Sequence, residues 1–553
     1  MRFLPLLALT APSSWVVAET CRCLPTDDCW PSEAEWDGLN STVNGNLVKV
    51  VPIGAVCHDP TYDKAACAEV KANWNDVQTH YQSMSSLMTP FWTNQTCDPF
   101  APRETPCSIG NFNEYTVDAE TESDVVATLT FAREKNIRFI IRNTGHDFWG
   151  RSIGHGGLAV RMANFKDNEL LEWDDAGFYT GPAFKLGAGM MGSEAQSVLE
   201  KAGYVMVSGY CSTVGPAGGY VQGGGHSPLG SVYGMAADQT LEYKVITAEG
   251  ELITVNRNRY SALFWALNGG GAGTWGVIVS MTVRVYPSLP MAGAQFFIDP
   301  SSVSQDIFWA IIDKFYSFIP SLTDQGAYIT YAFASTHLVL HPVSAYNKTS
   351  NQLREMLEPF TTYLTDNSLP AFIQFNDAAT YLEHAALNFA ESVPMNEYPS
   401  GGRIIPRDVL VKHPSRRPHL DPASHRWCRH VHIQHLTVHH AWRNADSLVI
   451  INTPWQNGNA EANSANVERL TALAPLLLEV APDSGSYSNE ADAFMKEWRH
   501  EMYGDHWSRL LDVKERYDPQ GFFYSHHTPG ADKWQLDGSG RLCKSAGVSK
   551  VYI

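Results

Sequence analysis

Glycine clusters between Arg142 and Gly276 constrain this chain more than any other feature. Arg142-Asn-Thr-Gly-His-Asp-Phe-Trp-Gly-Arg151 places one imidazole, His146, on a Gly-bounded turn. Gly209-Tyr-Cys-Ser-Thr-Val-Gly215 places one thiol, Cys211, on another. The small and polar residues from Asn143 to Phe148 leave backbone N–H groups free to face an anion without a lysine. Gly215-Pro-Ala-Gly-Gly219, Gly223-Gly-Gly225, Gly269-Gly-Gly271 and Gly273-Thr-Trp-Gly276 let main chain approach a flat ligand, as only a residue without Cβ can. Turns alone need fewer such places. The spacing points to a pocket walled by main chain.

One tempting fingerprint is set aside. Gly187-Ala-Gly-Met-Met-Gly192 matches GxGxxG after a strand, but a dinucleotide fold needs an acidic residue ending the next strand to take the ribose. Gly203-Tyr-Val-Met-Val-Ser208 offers none, so the run reads as a tight turn.

At 553 residues the chain exceeds one ordinary core, which predicts two or more domains. Hydrophobic content of 44% and charged content of 18% fit a globular protein. A formal charge of −18 argues against a nucleic-acid partner, since phosphate backbones demand clustered Lys and Arg. Arg2, the apolar run Phe3 to Leu9 and the small residues Val16-Val-Ala18 read as a secretory signal over residues 1–18. That run is too short to span a bilayer, and no membrane association is expected. Sequons at Asn40, Asn94 and Asn347 agree with passage through the secretory route to the cell exterior. Within residues 19–117, cysteines 21, 23, 29, 57, 67, 97 and 107 predict cross-links that staple a loop-rich segment, with Cys543 as an eighth member. The spacing Cys-x-Cys-x5-Cys, with no following His pair, fits zinc poorly, and no metal is expected. Cys211 and Cys428 are left over.

From Glu122 the pattern is α+β. Asp124 to Lys135 has helical spacing, Ile137 to Ile141 reads as a buried strand, and another strand begins near Leu158. Phe184 to Ala188 is a strand, Ser193 to Ala202 a helix, Leu241 to Val255 strand–turn–strand, and Val277 to Val285 a further strand. Residues 291–485 read as a second domain, with helices at Phe308 to Ile319 and Gln352 to Leu364 and extended runs at Tyr328 to Ala332 and Leu338 to Leu340. Helices are predicted at Ala493 to Met502 and Asp505 to Arg516, and a short strand at Phe522 to Tyr524. Residues 412–440 carry eight of the twenty histidines and almost no amphipathic period. They fit a surface loop better than a metal site, and a retained intron or shifted frame best of all.

The glycine motifs resemble the berberine-bridge-enzyme-like branch of the vanillyl-alcohol-oxidase flavoproteins, in the fungal isoamyl-alcohol-oxidase-like form. The likeness rests on Asn143-Thr-Gly-His-Asp147, Gly150-Arg-Ser152, Gly209 to Gly215 and Gly223-Gly-Gly-His226. Tyr233-Gly-Met-Ala-Ala-Asp238, Phe264-Trp-Ala-Leu267 and Tyr517-Asp-Pro519 complete it. It implies an α+β fold: a PCMH-type FAD-binding domain of two α+β subdomains (118–290), a substrate domain with an antiparallel sheet backed by helices (291–485), and a C-terminal segment (486–553) that completes the site. It also implies bicovalent FAD, with His146 on the 8α-methyl carbon and Cys211 on ring carbon C6. A neutral imidazole can attack the 8α position of a flavin tautomer, and a thiolate can attack C6. The first turn is then expected to hold FAD through Arg142, Asn143, Thr144, Gly145, Asp147, Phe148, Gly150, Arg151 and Ser152. The second contributes Gly209, Thr213, Val214, Gly215, Gly218 and Gly219. Gly223, Gly224, Gly225, His226, Asp238, Gly276, Val277 and Tyr524 follow. Asp147 and Phe148 stand where plant members carry Ser-Tyr.

Enzymes similar to this one take a hydride and pass two electrons to O2, releasing peroxide. Val214 falls at the family position beside flavin C4a, where a small side chain suits oxygen approach. In Tyr487-Ser-Asn-Glu-Ala-Asp492, Glu490 aligns with the substrate-facing Tyr of sugar oxidases and is the expected base, with Tyr487 and Asn489 orienting the substrate. The expected partner is a small organic molecule, an alcohol or secondary metabolite. The alternatives are C1 oxidation of an oligosaccharide and a secreted flavin-binding protein without turnover. A carboxylate-pair hydrolase would need no flavin. Trp309, Tyr328, Phe372, Phe375 and Tyr381 offer aromatic walls for a substrate pocket, though most residues of this kind belong to cores.

Overall fold

The structure, a computed structural model, describes residues 21–545 except 94–95, 176, 335, 390–399 and 413–436. Its first sheet contains β1 (Leu47–Lys49), β2 (Tyr115–Asp118), β3 (Arg138–Arg142) and β4 (Gly157–Arg161), in the order β1-β2-β4-β3. β2 and β3 run parallel to β4, while β1 pairs antiparallel with β2. Leading from β2 to its parallel neighbours requires a crossover, supplied by the helix Glu122–Glu134. Thr121 caps that helix and Asp124 returns the bond to the Thr121 amide at 3.0 Å, while Val125, Leu129 and Ala132 are buried. The Cys-rich segment is thus part of the sheet: it supplies edge strand β1, and β2 runs across position 117.

The second sheet is antiparallel. β5 (Asn168–Asp175), β6 (Tyr179–Gly187), β8 (Thr240–Ile246), β9 (Leu252–Asn256) and β10 (Val277–Arg284) lie in the order β5-β6-β10-β8-β9, with β7 (Tyr204–Val205) paired separately to β11 (Tyr286–Pro287). β10 is central and buried from Val277 to Val283, Ser280 and Thr282 included. The GxGxxG run joins β6 to the helix Gly192–Lys201, but a Cβ at Gly187 or Gly189 would strike the carbonyls of Phe165 and Met162. These glycines serve chain packing.

The third sheet, also antiparallel, orders β12 (Met291–Ile298), β13 (Ala327–Ala334), β14 (His337–Tyr346) and β15 (Ala371–Ala378) as β13-β14-β12-β15. Helices Gln305–Asp324 and Ser350–Asp366 back it, sharing a core through Phe308, Phe315, Leu357, Phe360 and Tyr331. A ribbon of β16 (Ser400–Pro406) and β17 (Ala445–Asn452) extends this core, backed by the helix Ala460–Val480. The chain then returns to the first core, where Trp498, Tyr503, Leu510, Phe522 and Phe523 join Val160, Tyr243 and Val277. Four disulfides, Cys21–Cys543, Cys23–Cys29, Cys57–Cys67 and Cys97–Cys107, use the eight expected cysteines, and the first ties the two ends together. Cys211 lies outside them, and Cys428 outside the described residues. Among the described residues no helix is long and apolar enough to cross a membrane.

Three expectations change. Phe522 to Tyr524 is not a strand, because the Asp518 carboxylate takes the amides of Phe522 and Phe523 at 2.8 and 2.9 Å, removing donors a neighbouring strand would need. Ala493 to Met502 is helical only over Trp498–Tyr503, since Asp492 folds the preceding residues into turns through the Phe494 and Met495 amides. Of the stretch 412–440, residues 413–436 and the signal segment 1–18 lie outside the described residues, yet Thr437, Val438 and His439 are buried in the fold. Thr437 donates to the Trp265 carbonyl, so its end of the stretch belongs to the fold.

Candidate functional site

A cavity of about 500 Å³ lies where the glycine turns, the third sheet and the C-terminal segment meet. Its size suits a cofactor or small-molecule site. Asn143, Thr144, Gly145, His146, Asp147, Phe148, Arg151 and Ser152 line it from the first turn. Gly209, Cys211, Val214, Gly215, Gly218, Gly219 and His226 line it from the second region, and Gly276 from the head of β10. Tyr328, Thr330 and Ala332 of β13 and Leu448, Ile450 and Asn452 of β17 add alternate residues of two strands. Tyr487, Asn489 and Glu490 come from the C-terminal run.

The first turn is braced by its own carboxylate. Asp147 accepts the Trp149 amide at 2.9 Å, the Ser152 amide at 2.6 Å and the Ser152 hydroxyl at 2.7 Å, closing the loop that presents His146. His146 Nε2 lies 2.6 Å from Thr213 Oγ1, which joins the two turns. Burial pushes the His146 pKa down to about 4, so the ring is neutral near pH 7. Arg151 donates to the carbonyls of His526 (3.1 Å) and Ser488 (3.2 Å), fastening the loop to the C-terminal run, and burial lowers its pKa.

That run carries a polar cluster. His226 Nε2 lies 3.1 and 3.3 Å from the two oxygens of Glu490. Asn489 Nδ2 donates to the Gly219 carbonyl (3.0 Å) and the Tyr487 hydroxyl (2.9 Å). Tyr487 packs edge-on against His226 and Trp442, and Tyr220 donates to the His226 carbonyl at 2.7 Å. A carboxylate, an imidazole, an amide and a phenol therefore converge on one cavity, equipped to orient a hydroxyl and move its proton.

Several expected cofactor residues stand behind the wall. Arg142 is fully buried and donates to the carbonyls of His80 (3.0 Å) and Ser86, holding the N-terminal segment against β3. Asp238 is gripped by both Nη atoms of Arg443 at 2.9 and 3.0 Å. Tyr524 faces His526 at 3.2 Å and lies under the Arg138 guanidinium. Gly150 packs on Trp92, Gly223 on Asn489, Gly224 on Met235 and Val438, and Gly225 on Tyr220, while Val277 is buried in the core. Thr213 reaches the site through His146. Of the aromatic residues considered for the substrate wall, Tyr328 alone lines the cavity. Trp309 and Phe375 pack against the third sheet's core, Tyr381 is buried and Phe372 is 67% exposed. Apart from Tyr328, the cavity-lining residues of β13 and β17 were not foreseen, because alternation alone does not say which face the helices cover.

The residues fit a flavin nucleotide. Asn143, Thr144, His146, Arg151 and Ser152 place polar side chains among the residues lining the cavity, which suits a polar guest. Its glycine-edged wall admits a flat one. Fold and site together define a PCMH-type FAD-binding flavoprotein.

Residues 114–256 match the FAD binding domain family, and residues 486–528 the berberine and berberine like family. The chain is 40% identical over 544 residues to the FAD-linked oxidoreductase ZEB1 of Gibberella zeae, covering 95% of each. It is 34% identical to the VAO-type flavoprotein oxidase VAO615 of Thermothelomyces thermophilus, covering 95% of this chain and 96% of the other. The crystal structure of the VAO-type flavoprotein MtVAO615 from Myceliophthora thermophila C1 superposes with a TM-score of 0.90 at 33% identity, over 95% of this chain and 100% of the other. A fold likeness, TM-score 0.62 at 15% identity over 76% and 92%, links it to an Acremonium strictum glucooligosaccharide oxidase, whose FAD is 6-S-cysteinyl and 8α-N1-histidyl. The chain belongs to the FAD-linked oxidoreductases of the vanillyl-alcohol-oxidase and berberine-bridge-like family.

Proposed function

We propose that this FAD-linked oxidoreductase is a secreted oxidase, attached to its cofactor through His146 and Cys211, that dehydrogenates an alcohol carbon of a largely apolar metabolite. The observation that carries the reading is the convergence of His146, Cys211 and the His226–Glu490 pair on one cavity. Bound FAD would accept a hydride and return the electron pair to O2 as peroxide. The chain's own part is positioning and proton transfer. Glu490 takes the substrate hydroxyl proton, His226 holds that carboxylate in place, and Asn489 with Tyr487 orients the oxygen. Val214, small and on the cavity wall, leaves oxygen room to approach.

Leu448, Ile450, Ala332 and Tyr328 supply an apolar wall, with Thr330, Ser400 and Asn452 as its polar points. No charged side chain of the third sheet or the ribbon lines the cavity among the described residues, which favours an uncharged substrate. Four disulfides support an oxidising destination. Acid precipitation tests the attachment: the pellet keeps its yellow colour. Glu490→Gln tests the base. Anaerobic flavin reduction by a turned-over alcohol slows by about 10²- to 10⁴-fold while the resting flavin spectrum is kept. An unchanged reduction rate removes Glu490 from the mechanism.

A further inference from the structure

We infer that Thr213 is the positioning residue that decides which nitrogen of His146 joins the cofactor. The inference rests on the double attachment proposed above and extends it to a residue that bonds to neither flavin carbon. A neutral imidazole has one N–H and one lone pair, and only the lone-pair nitrogen can form a new bond. The hydrogen bond made by the other nitrogen selects between them.

In this chain that bond is short and built in. Thr213 Oγ1 lies 2.6 Å from His146 Nε2, and Thr213 is only 7% exposed. It is set two residues after Cys211, on the turn that carries the second attachment. His146 Nδ1 has no hydrogen-bond partner among the described residues. Were Nδ1 the protonated atom, its N–H would point at no acceptor, which costs more than an idle lone pair. The Nε2–H tautomer therefore prevails, with Thr213 Oγ1 accepting, and Nδ1 keeps the lone pair. Asp147 is not available for this task, since Trp149 and Ser152 occupy its oxygens.

The attachment then balances. Nδ1 bonds to the 8α carbon as that methyl group loses one proton, and the electron pair of the broken C–H bond enters the ring system. The Nε2 proton leaves through the Thr213 hydroxyl. Dioxygen finally takes two electrons and two protons and departs as peroxide. A side chain without a hydroxyl at position 213 frees the tautomer equilibrium and removes the route for the Nε2 proton. Attachment at His146 suffers, while Cys211, whose sulfur needs no tautomer, is untouched.

The test is peptide mass spectrometry of the secreted full-length protein, with flavin counted separately on the His146 and Cys211 peptides. Thr213→Val keeps the side-chain shape, and the flavin fraction on His146 falls by about tenfold or more while the Cys211 fraction holds. Thr213→Ser returns the hydroxyl and restores the His146 fraction. A Thr213→Val protein with His146 modified as fully as the parent overturns the inference and leaves the double attachment standing. A parent protein with His146 unmodified overturns the double attachment, and this inference falls with it. Loss of flavin from both peptides in Thr213→Val and Thr213→Ser alike reports damage to the pocket, and it too counts against a tautomer role.

Discussion

A single missing Cβ sets the place of Asn489. Built onto Gly223, that atom would lie 2.4 Å from Asn489 Nδ2, the donor to both the Gly219 carbonyl and the Tyr487 hydroxyl. Gly223→Ala therefore displaces the amide without touching His146 or Cys211. Steady-state kinetics on the variant are expected to show kcat down by about tenfold to a hundredfold, with flavin content retained, as misplacements near one ångström do. His146 and Cys211 were legible in the sequence because each sits inside a short motif whose neighbours announce it. The His226–Glu490 contact was not, since its members lie 264 positions apart and nothing beside either names the other. What Arg142 and Asp238 grip was not legible for the converse reason: a motif marks a residue as needed but does not name its side chain's partner.

Between elements, the ribbon of β16 and β17 is clamped to the C-terminal segment by one buried ion pair. Arg403 on β16 meets Glu501 on the helix Trp498–Tyr503, with side-chain exposures of 2% and 6%, and its Nε donates to the Ala481 carbonyl at 2.8 Å. Glu501→Ala strands the guanidinium in a dry place, and denaturant unfolding should show a loss of about 3–5 kcal/mol. A change below 1 kcal/mol would mean that water reaches Arg403. Elements with their own signals, such as the Thr121-capped helix and the alternating β10, could be read directly. β16 and β17 could not, because they flank residues 413–436, where the sequence pattern lapses. Phe522 to Tyr524 reads as a strand only while the long-range claim of Asp518 on its amides is unseen.

Across the described residues, several buried histidines are held without charge. Burial pushes His80, His384 and His527 down to about 4, and His439 and His526 to about 3. An unfolded histidine titrates near 6.5, so the unfolded chain binds more protons than the folded one below that value. Their contribution is complete above pH 6.5 and is lost as pH falls from there toward 4, or toward 3 for His439 and His526. Each costs about 2 kcal/mol by pH 5. The five together come to about 10 kcal/mol, so thermal melts should show a midpoint about 10 °C lower at pH 5 than at pH 7. A midpoint constant over that range would show that these rings are protonated without penalty. The sequence supplied the twenty histidines and the α+β order. Which rings lie inside depended on packing between segments far apart.

The late position of Tyr487, Asn489 and Glu490 on the cavity wall has a temporal meaning. A ribosome delivers the polypeptide from its first residue onward, and His146 and Cys211 emerge long before these three. A prosthetic group meeting the nascent chain would find an open trough. Loading that needs the finished wall is therefore expected only after Glu490 has been made, and flavin held by a chain truncated before Tyr487 would overturn that expectation.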